Sequence, residues 1–514
     1  MNLGLAVSRS ARRHPGRAAA FDIGREITWS RLDERSNRLA HVLLAHYGLG
    51  RGERVALWTA NRVEVMEILS GVAKAGLVYV GLNFRMTDTE LRHVFDNAQP
   101  RVLIVAAEFR ERAQALFGRE LKILELDGTG PADYEGLLSG ASGDAPKTLH
   151  AVRPEDDFCI VYTSGTTGTP KGVWFDHAAA LQHATVAALE YEIDHTARYL
   201  VTIPHNSSVH ITIAPVMTMG GAVGFIDSRG FDPEKYAGHV ARTATTHSFL
   251  VPTQLYRLLE ADIPASALGR ADTLGYGSSP MSPDKAGQLV ERYGPKFIQL
   301  YGMSEIASIG TLLRKSDHAA AVAGRPQLLA SAGQPSYATD VRVVDPTGAD
   351  VAPGERGEVV FAGAHTMKGY YGDPERTGRT LIDGWVHSGD VGTWDAEGYL
   401  YIVDRIKDLI IRGGYNVAPA EVEAVVHRHP DVVEVGVIGL PDAEWGESVL
   451  AVVALRDGAH LAAEDIVDWC RADGSLTAVK VPERVEFVPA LPKTAVGKIA
   501  KRELRERYGK GHGV

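Results

Sequence analysis

Cysteine is almost absent from this sequence: Cys159 and Cys470 are the only two in 514 residues, and neither sits in a CxxC or Cys/His cluster. A disulfide framework and a structural zinc site are thereby excluded, and a reducing, cytoplasmic setting is expected. No apolar run reaches the roughly 18 residues that a membrane-spanning helix needs, so no membrane insertion is expected. Positive charge is in deficit, with 54 Lys and Arg against 64 Asp and Glu and a net charge of −10. That balance leaves no broad field for nucleic acid or an anionic membrane. The first residues carry Arg9, Arg12, Arg13 and Arg17 but lack the continuous apolar stretch of a secretory signal. Asp22, Asp33 and Glu34 follow soon after, so the start reads as an exposed amphipathic first helix and not as a transit peptide.

What is present is globular. Hydrophobic residues make up 45% and charged residues 23%, with 54 Gly and 25 Pro to supply turns. A chain of this length exceeds one core and predicts at least two domains. Through roughly residue 400, short apolar runs alternate with amphipathic stretches: RVALWTA (54–60), VEVMEILSGVAKAG (63–76), LVYVGLN (77–83). This is βαβ punctuation and predicts a layered α/β architecture. RVLIVAA (101–107), LKILELD (121–127) and FCIVYT (158–163) read as further buried strands.

Near residue 404 the character changes. YLYIV meets the charged DRIKD, then LIIR, the turn pair Gly413-Gly414 and a helix start at PAEVEAVVHRH, where Pro419 suits the first turn. VEVGVIGL, SVLAVVAL and RVEFVPAL predict three strands, EDIVDWCRA a helix and KIAKRELRERYG a basic tail helix. The expected layout is a large N-terminal α/β domain with several subdomains and layered sheets (1–403), a hinge (404–408) and a small mobile α+β C-terminal domain (409–514). No heptad or exposed apolar stripe marks an oligomer surface, and a homodimer stays open.

The strongest local signal is VYTSGTTGTPKGV (161–173). Its glycines let backbone N–H groups converge on an anion, its hydroxyls add donors and Lys171 adds charge, as a triphosphate requires. It is not the common nucleotide P-loop, because Pro170 stands where that motif needs Gly and no Ser or Thr follows Lys171. Taken alone, the run also fits a surface loop rich in small polar residues.

With YGSSPM (276–281), YGMSE (301–305), GERGEV (354–359), GWVHSGDVG (384–392), DRIKDLIIRGGYNVAPAEVE (404–423) and PKTAVGKIAKREL (492–504) following in order, the chain resembles the adenylate-forming superfamily. That group contains acyl-CoA synthetases, peptide-synthetase adenylation domains and luciferases, and the resemblance runs from about residue 10 to about 506. It implies an AMP-forming acid–CoA ligase using ATP, Mg²⁺ and CoA with a small-molecule acid. It implies that Thr163, Ser164, Gly165, Thr166, Thr167, Gly168 and Lys171 hold phosphates. Gly277, Ser278, Ser279, Tyr301, Gly302 and Met303 would line the nucleotide, with Tyr301 on adenine. Ser304 would contact the α-phosphate or acid, and Glu305 would ligate Mg²⁺. Asp390, at a tight turn, would hold the ribose hydroxyls, with Ile402 and Arg405 beside it and Lys407 as hinge. Lys498 would reach the α-phosphate in the first step, and Gly413, Gly414 and Tyr415 would line the pantetheine channel.

In the acid-binding region the register departs from the family. Relatives carry Pro, then His three positions on, then Gly; here Ser207 stands at the His and His210 at the Gly. His205, Ser207, Ser208, His210, Ile211, Thr253, Tyr276 and Ser308 are the expected pocket, suited to a polar or ring-bearing acid and not to a long acyl tunnel. Two histidines in seven residues, with no third ligand, do not make a metal site. The altered position keeps a second acceptor open: a carrier protein, or an aryl amine receiving activated nitrite.

Overall fold

The computed structural model describes residues 1–118, 121–163, 169–442, 444–493 and 499–509, and of His210 and Asn416 the backbone alone. These residues build two compact units, one of residues 1–341 with 361–386, the other of 342–360 with 387–514. The architecture is mixed α/β, with layered sheets in the large unit and a smaller sheet-and-helix unit carrying the C-terminal sequence.

In the large unit, the first sheet has seven strands. Gly369–Tyr370, Lys171–Asp176, Asp157–Thr163, Val78–Leu82, Arg54–Trp58, Val102–Val105 and Lys122–Glu125 lie side by side in that order. From Asp157–Thr163 onward the neighbours are parallel. Parallel strands covered on both faces need apolar residues throughout, which is why they read as continuous runs. In Arg54–Trp58, Val55 and Leu57 enter one core, and Ala56 and Trp58 enter the other with the helices Asp88–Ala98 and Ala107–Phe117.

The larger core also takes Tyr199, Val201, Phe249 and Leu300 from a nine-stranded second sheet, and residues of the helices Leu3–Arg13, Trp29–His41, Glu64–Ala75 and His177–Glu190. Those helices form the layer the two sheets share. At about 1.5–3 kcal/mol per fully buried aliphatic or aromatic side chain, this layer fixes where the strand ends lie. Helix Glu64–Ala75 ends on Gly76 at φ 74°, the left-handed stop that glycine adopts without strain.

The expected exposed first helix is corrected. Leu3–Arg13, capped by the Asn2 side chain, buries Leu3, Ala6, Val7 and Ala11, because its apolar face packs on the shared layer. Arg12 and Arg13 at its end, and Arg17 beyond it, keep the exposure the sequence suggested.

In the small unit, the sheet order is Tyr415–Val417, Ile410–Arg412, Gly446–Leu455, Val432–Asp442, with Arg484–Phe487 parallel to Gly446–Leu455. Alternation along Gly446–Leu455 puts Val449, Ala451 and Val453 in one core and Leu450 and Val452 in the other. The first core receives helices Pro419–Val426 and Ala463–Asp473; the second receives Leu504 of helix Lys501–Gly509. Among the described residues no helix is long and apolar enough to cross a membrane.

Candidate active site

Strand Asp157–Thr163 ends where the Gly/Thr run of the sequence begins, and strand Lys171–Asp176 pairs back on it with Thr163 directly opposite Lys171. Ser164, Gly165, Thr166, Thr167 and Gly168 lie outside the described residues, as does Lys498. The Thr163 hydroxyl is buried and has no hydrogen-bond partner among the described residues.

The returning strand carries the first charged contact. Lys171 Nζ lies 2.5 Å from Glu305 Oε1 and donates to the Tyr370 hydroxyl at 2.9 Å. The Tyr370 hydroxyl donates to the same Oε1 at 2.5 Å. The Glu305 side chain is 4% exposed and Lys171 25%, so an almost fully buried carboxylate meets a partly open ammonium. Burial, reinforced by the Glu305 charge, pushes the Tyr370 phenol pKa up, so it stays a neutral donor. Tyr370 belongs to no motif singled out in the sequence; the signal was KGYYG, an aromatic pair after a glycine.

Glu305 is held in place by its backbone. Strand Phe297–Tyr301 ends at Tyr301, and Ser304–Ile306 forms a single 3₁₀ turn. Ala307 and Ser308 follow at φ 51° and 81°, a conformation non-glycine residues rarely adopt, and the Gly310 N–H closes the loop on the Tyr301 carbonyl at 3.0 Å. Gly302 is required here, since a Cβ would stand 2.5 Å from the Ser308 carbonyl. The Met367 N–H donates to the Glu305 carbonyl at 2.8 Å, tying the segment before Tyr370 to the same turn. Tyr301, Met303, Ser304 and Ser308 are half-buried around it, and Gly302 is exposed. Gly277 ends strand Thr273–Gly277; Ser278, at φ 70°, is exposed and Ser279 half-buried.

This donor set fits a hard divalent cation. Mg²⁺ is commonly held by one or two carboxylates, with substrate phosphates and water completing the shell. Glu305 supplies one carboxylate, and among the described residues no cluster of three acidic, His or Cys groups competes for a metal.

At three positions of the expected acid pocket the polar groups already have partners. Burial lowers the His205 pKa to about 4, so the ring is neutral. Its Nδ1 lies 2.9 Å from the Tyr79 hydroxyl and its Nε2 3.1 Å from the Thr59 carbonyl, so no nitrogen remains for an acid. The Ser208 hydroxyl is consumed by the Ile203 and Pro204 carbonyls, and the Tyr276 hydroxyl by Gln299 and His318. Ser207 is half-buried, Ile211 buried and Thr253 exposed on the first turn of helix Pro252–Glu260. The His210 side chain is outside the described residues, though its backbone lies in a π-helical turn, Val209–Ile213. Such turns are common at functional sites.

In the small unit, Asp390 is corrected from a tight turn to a strand residue. It lies in Trp385–Trp394, after Gly389 at φ 71°, opposite Arg405 of Leu400–Arg405. Arg405 Nε is 3.2 Å from Asp390 Oδ1, and Ile402 pairs with Gly392 two positions along. Lys407 is exposed in the turn at 406–408. Gly413 and Gly414, at φ 56° and 82°, form the two-residue turn between Ile410–Arg412 and Tyr415–Val417, with Tyr415 63% exposed. Positive φ at both central residues is what a tight hairpin demands.

Comparison with known proteins adds to this geometry. A family model of AMP-binding enzymes matches residues 7–371, and one of AMP-binding enzyme C-terminal domains matches residues 421–498. A feruloyl-CoA synthase of Amycolatopsis sp is 38% identical over 513 residues, 99% of each chain. The ATP-bound MatB of Rhodopseudomonas palustris has TM-score 0.89 and 29% identity and is covered completely, as is this chain. The amide bond synthetase McbA of Marinactinospora thermotolerans has TM-score 0.87 and 31% identity, over 98% of this chain and 100% of that one.

Proposed function

The chain belongs to the AMP-binding enzyme family, and we propose that it activates a ring-bearing carboxylic acid for transfer to CoA. It is an AMP-forming acid–CoA ligase. Carboxylate oxygen attacks the α-phosphorus of ATP, the bond to pyrophosphate breaks, and acyl-AMP results. The CoA thiol, losing its proton, then attacks the acyl carbon, and AMP departs with the bonding electrons.

The observation that carries the site assignment is the buried Glu305 carboxylate 2.5 Å from Lys171, on the strand that leaves the phosphate loop. In the proposed division of labour, Lys171 and the Thr163 hydroxyl bind phosphate oxygens. Bound Mg²⁺, held by Glu305, would supply charge neutralisation on the phosphates. Tyr301 and Ser278 flank the nucleoside, and Asp390 with Arg405 takes the ribose. Lys498 offsets the charge that develops as the carboxylate attacks. Residues 404–408 form the hinge on which residues 409–514 turn between adenylation and thioester formation, presenting the Gly413-Gly414 hairpin for the second. Support for a ring-bearing acid comes from full-length similarity to a feruloyl-CoA synthase and from the mixed small and polar residues Ser207, Thr253 and Ser308.

The test is product analysis with Mg-ATP and a panel of aryl, short-chain and dicarboxylic acids, each with and without CoA. The reading requires that ferulate or another aryl acid give AMP and a thioester mass only when CoA is present. A fatty or dicarboxylic acid preferred over every aryl acid would overturn the substrate class, and AMP without CoA dependence would overturn the acceptor.

A further inference from the structure

Tyr370 touches both charged groups of the site. Its hydroxyl has one proton, given to Glu305 Oε1 at 2.5 Å, and one lone pair facing Lys171 Nζ at 2.9 Å. The ammonium also lies 4.7 Å from the phenol ring centroid. The residue is 4% exposed, and its position is over-determined. Gly369–Tyr370 pairs with the strand that bears Lys171, in register Tyr370 to Val173, and the Tyr370 N–H donates to the Thr377 hydroxyl at 2.9 Å.

A carboxylate as buried as Glu305 requires a cation in contact, because an uncompensated buried charge is costly. In the structure that cation is Lys171. Yet Lys171 also starts the strand opposite Thr163, at the base of the phosphate loop, and a single ammonium cannot neutralise Glu305 and a phosphate equally well. A nucleotide that draws Lys171 away leaves Glu305 bare unless a second cation arrives with it. Through such an exchange the Tyr370 hydroxyl, fixed from the neighbouring strand, is the one donor among the described residues that keeps the same hydrogen bond to Oε1.

We propose that Tyr370 is a positioning residue that holds the Glu305 carboxylate in aim while its counter-cation changes from Lys171 to the divalent metal of the metal–nucleotide pair. The proposal rests on Glu305 being the metal carboxylate. It makes metal and nucleotide strongly interdependent in binding: metal-free ATP must strip Lys171 from a buried acid, whereas Mg-ATP brings its replacement. The linkage belongs to Glu305, and Tyr370 controls how much of it is realised.

The experiment is calorimetric titration of ATP, without acid or CoA so that nothing turns over, in EDTA and again in saturating Mg²⁺. Wild-type protein, Glu305→Gln and Tyr370→Phe are compared. Wild type is expected to bind Mg-ATP at least about 100-fold more tightly than metal-free ATP, from the cost of exposing one buried unpaired charge. In Glu305→Gln metal-free ATP tightens, Mg-ATP weakens and the ratio collapses. Tyr370→Phe, which removes one oxygen and keeps the buried ring, leaves metal-free ATP within about threefold of wild type and weakens Mg-ATP by about tenfold, the value of a hydrogen bond to a charged group.

A wild-type ratio retained in Glu305→Gln would show that Glu305 is not the metal carboxylate, and the underlying reading fails. A collapsed ratio there, with Mg-ATP affinity unchanged in Tyr370→Phe, overturns the role of Tyr370 alone. Equal weakening of both forms in Tyr370→Phe, or a fall in its thermal midpoint that accounts for the loss, makes the tyrosine merely structural and also overturns it.

Discussion

Asp390 and Arg405 stand directly opposite each other in an antiparallel ladder, with Arg405 Nε 3.2 Å from Asp390 Oδ1. The Asp390 side chain is 14% exposed and Arg405 45%. An ion pair this open contributes little to stability, on the order of 1 kcal/mol or less. On the proposed reading its value lies in holding a carboxylate edge and a guanidinium in fixed relation for the ribose and phosphate of the nucleotide.

Asp390→Ala is therefore expected to raise the KM for ATP by about tenfold or more in pyrophosphate exchange, the scale of a lost hydrogen bond to a charged group. The thermal midpoint should barely move. A large drop in midpoint with unchanged KM would assign the pair to folding alone.

On the proposed reading the hairpin at Gly413 serves thioester formation and not adenylation. A Cβ at Gly413 would meet Trp445 Cε3 at 2.7 Å, so the ring or the turn must shift. Gly413→Ala should lower thioester formation by about tenfold while leaving pyrophosphate exchange within about twofold, the backbone cost being about 1 kcal/mol. Equal losses in both steps would remove the hairpin from the CoA channel.

Histidines set the acid limb of stability. Burial lowers His205, His177 and His318 from 6.5 to about 4 in the folded protein. Between pH 6.5 and 4 the unfolded chain binds protons that the fold refuses, so stability rises with pH across this window and is lost as pH falls. The thermal midpoint should decline from pH 6.5 to 5 with proton uptake on unfolding, measured by calorimetry in buffers of different ionisation enthalpy. A flat midpoint with no uptake would contradict the burial of these neutral rings.

The fold was legible where one physical cause acts alone. Strands such as Arg54–Trp58 announced themselves because both faces are buried and no polar residue interrupts them. The Tyr301–Glu305 turn and the Gly413-Gly414 hairpin were legible because their backbones restrict residue type. Contacts made by tertiary packing were not. The sequence offers His205 with both ring nitrogens free, whereas Tyr79 and Thr59, over 120 positions away, occupy both of them. Tyr370 was missed because a two-residue edge strand has no period, and its partners lie 65 and 199 positions away. Asp390 read as a turn because flanking glycines signal one, whereas Gly389 only kinks a continuous strand.

Lys74 shows the same limit for stability. It is fully buried on helix Glu64–Ala75, and its Nζ donates to Asp33 Oδ1 at 2.6 Å, the Asp33 carbonyl at 3.0 Å, and Ser36 and Asn37 oxygens at 2.8 Å. Lys74→Met should destabilise the large unit by roughly 2–4 kcal/mol, since three or more acceptors lose their donor. Chemical denaturation measures this, and a neutral result would mean that water replaces the ammonium.

The central claim is that carboxylate oxygen attacks the α-phosphorus of ATP. Its most direct test supplies ferulate, or whichever acid the panel selects, labelled with ¹⁸O in both carboxyl oxygens, together with Mg-ATP and CoA, and weighs the nucleotide product. The account predicts AMP carrying one ¹⁸O in its phosphate and a thioester retaining the other. Unlabelled AMP, or ADP with labelled inorganic phosphate, would contradict it.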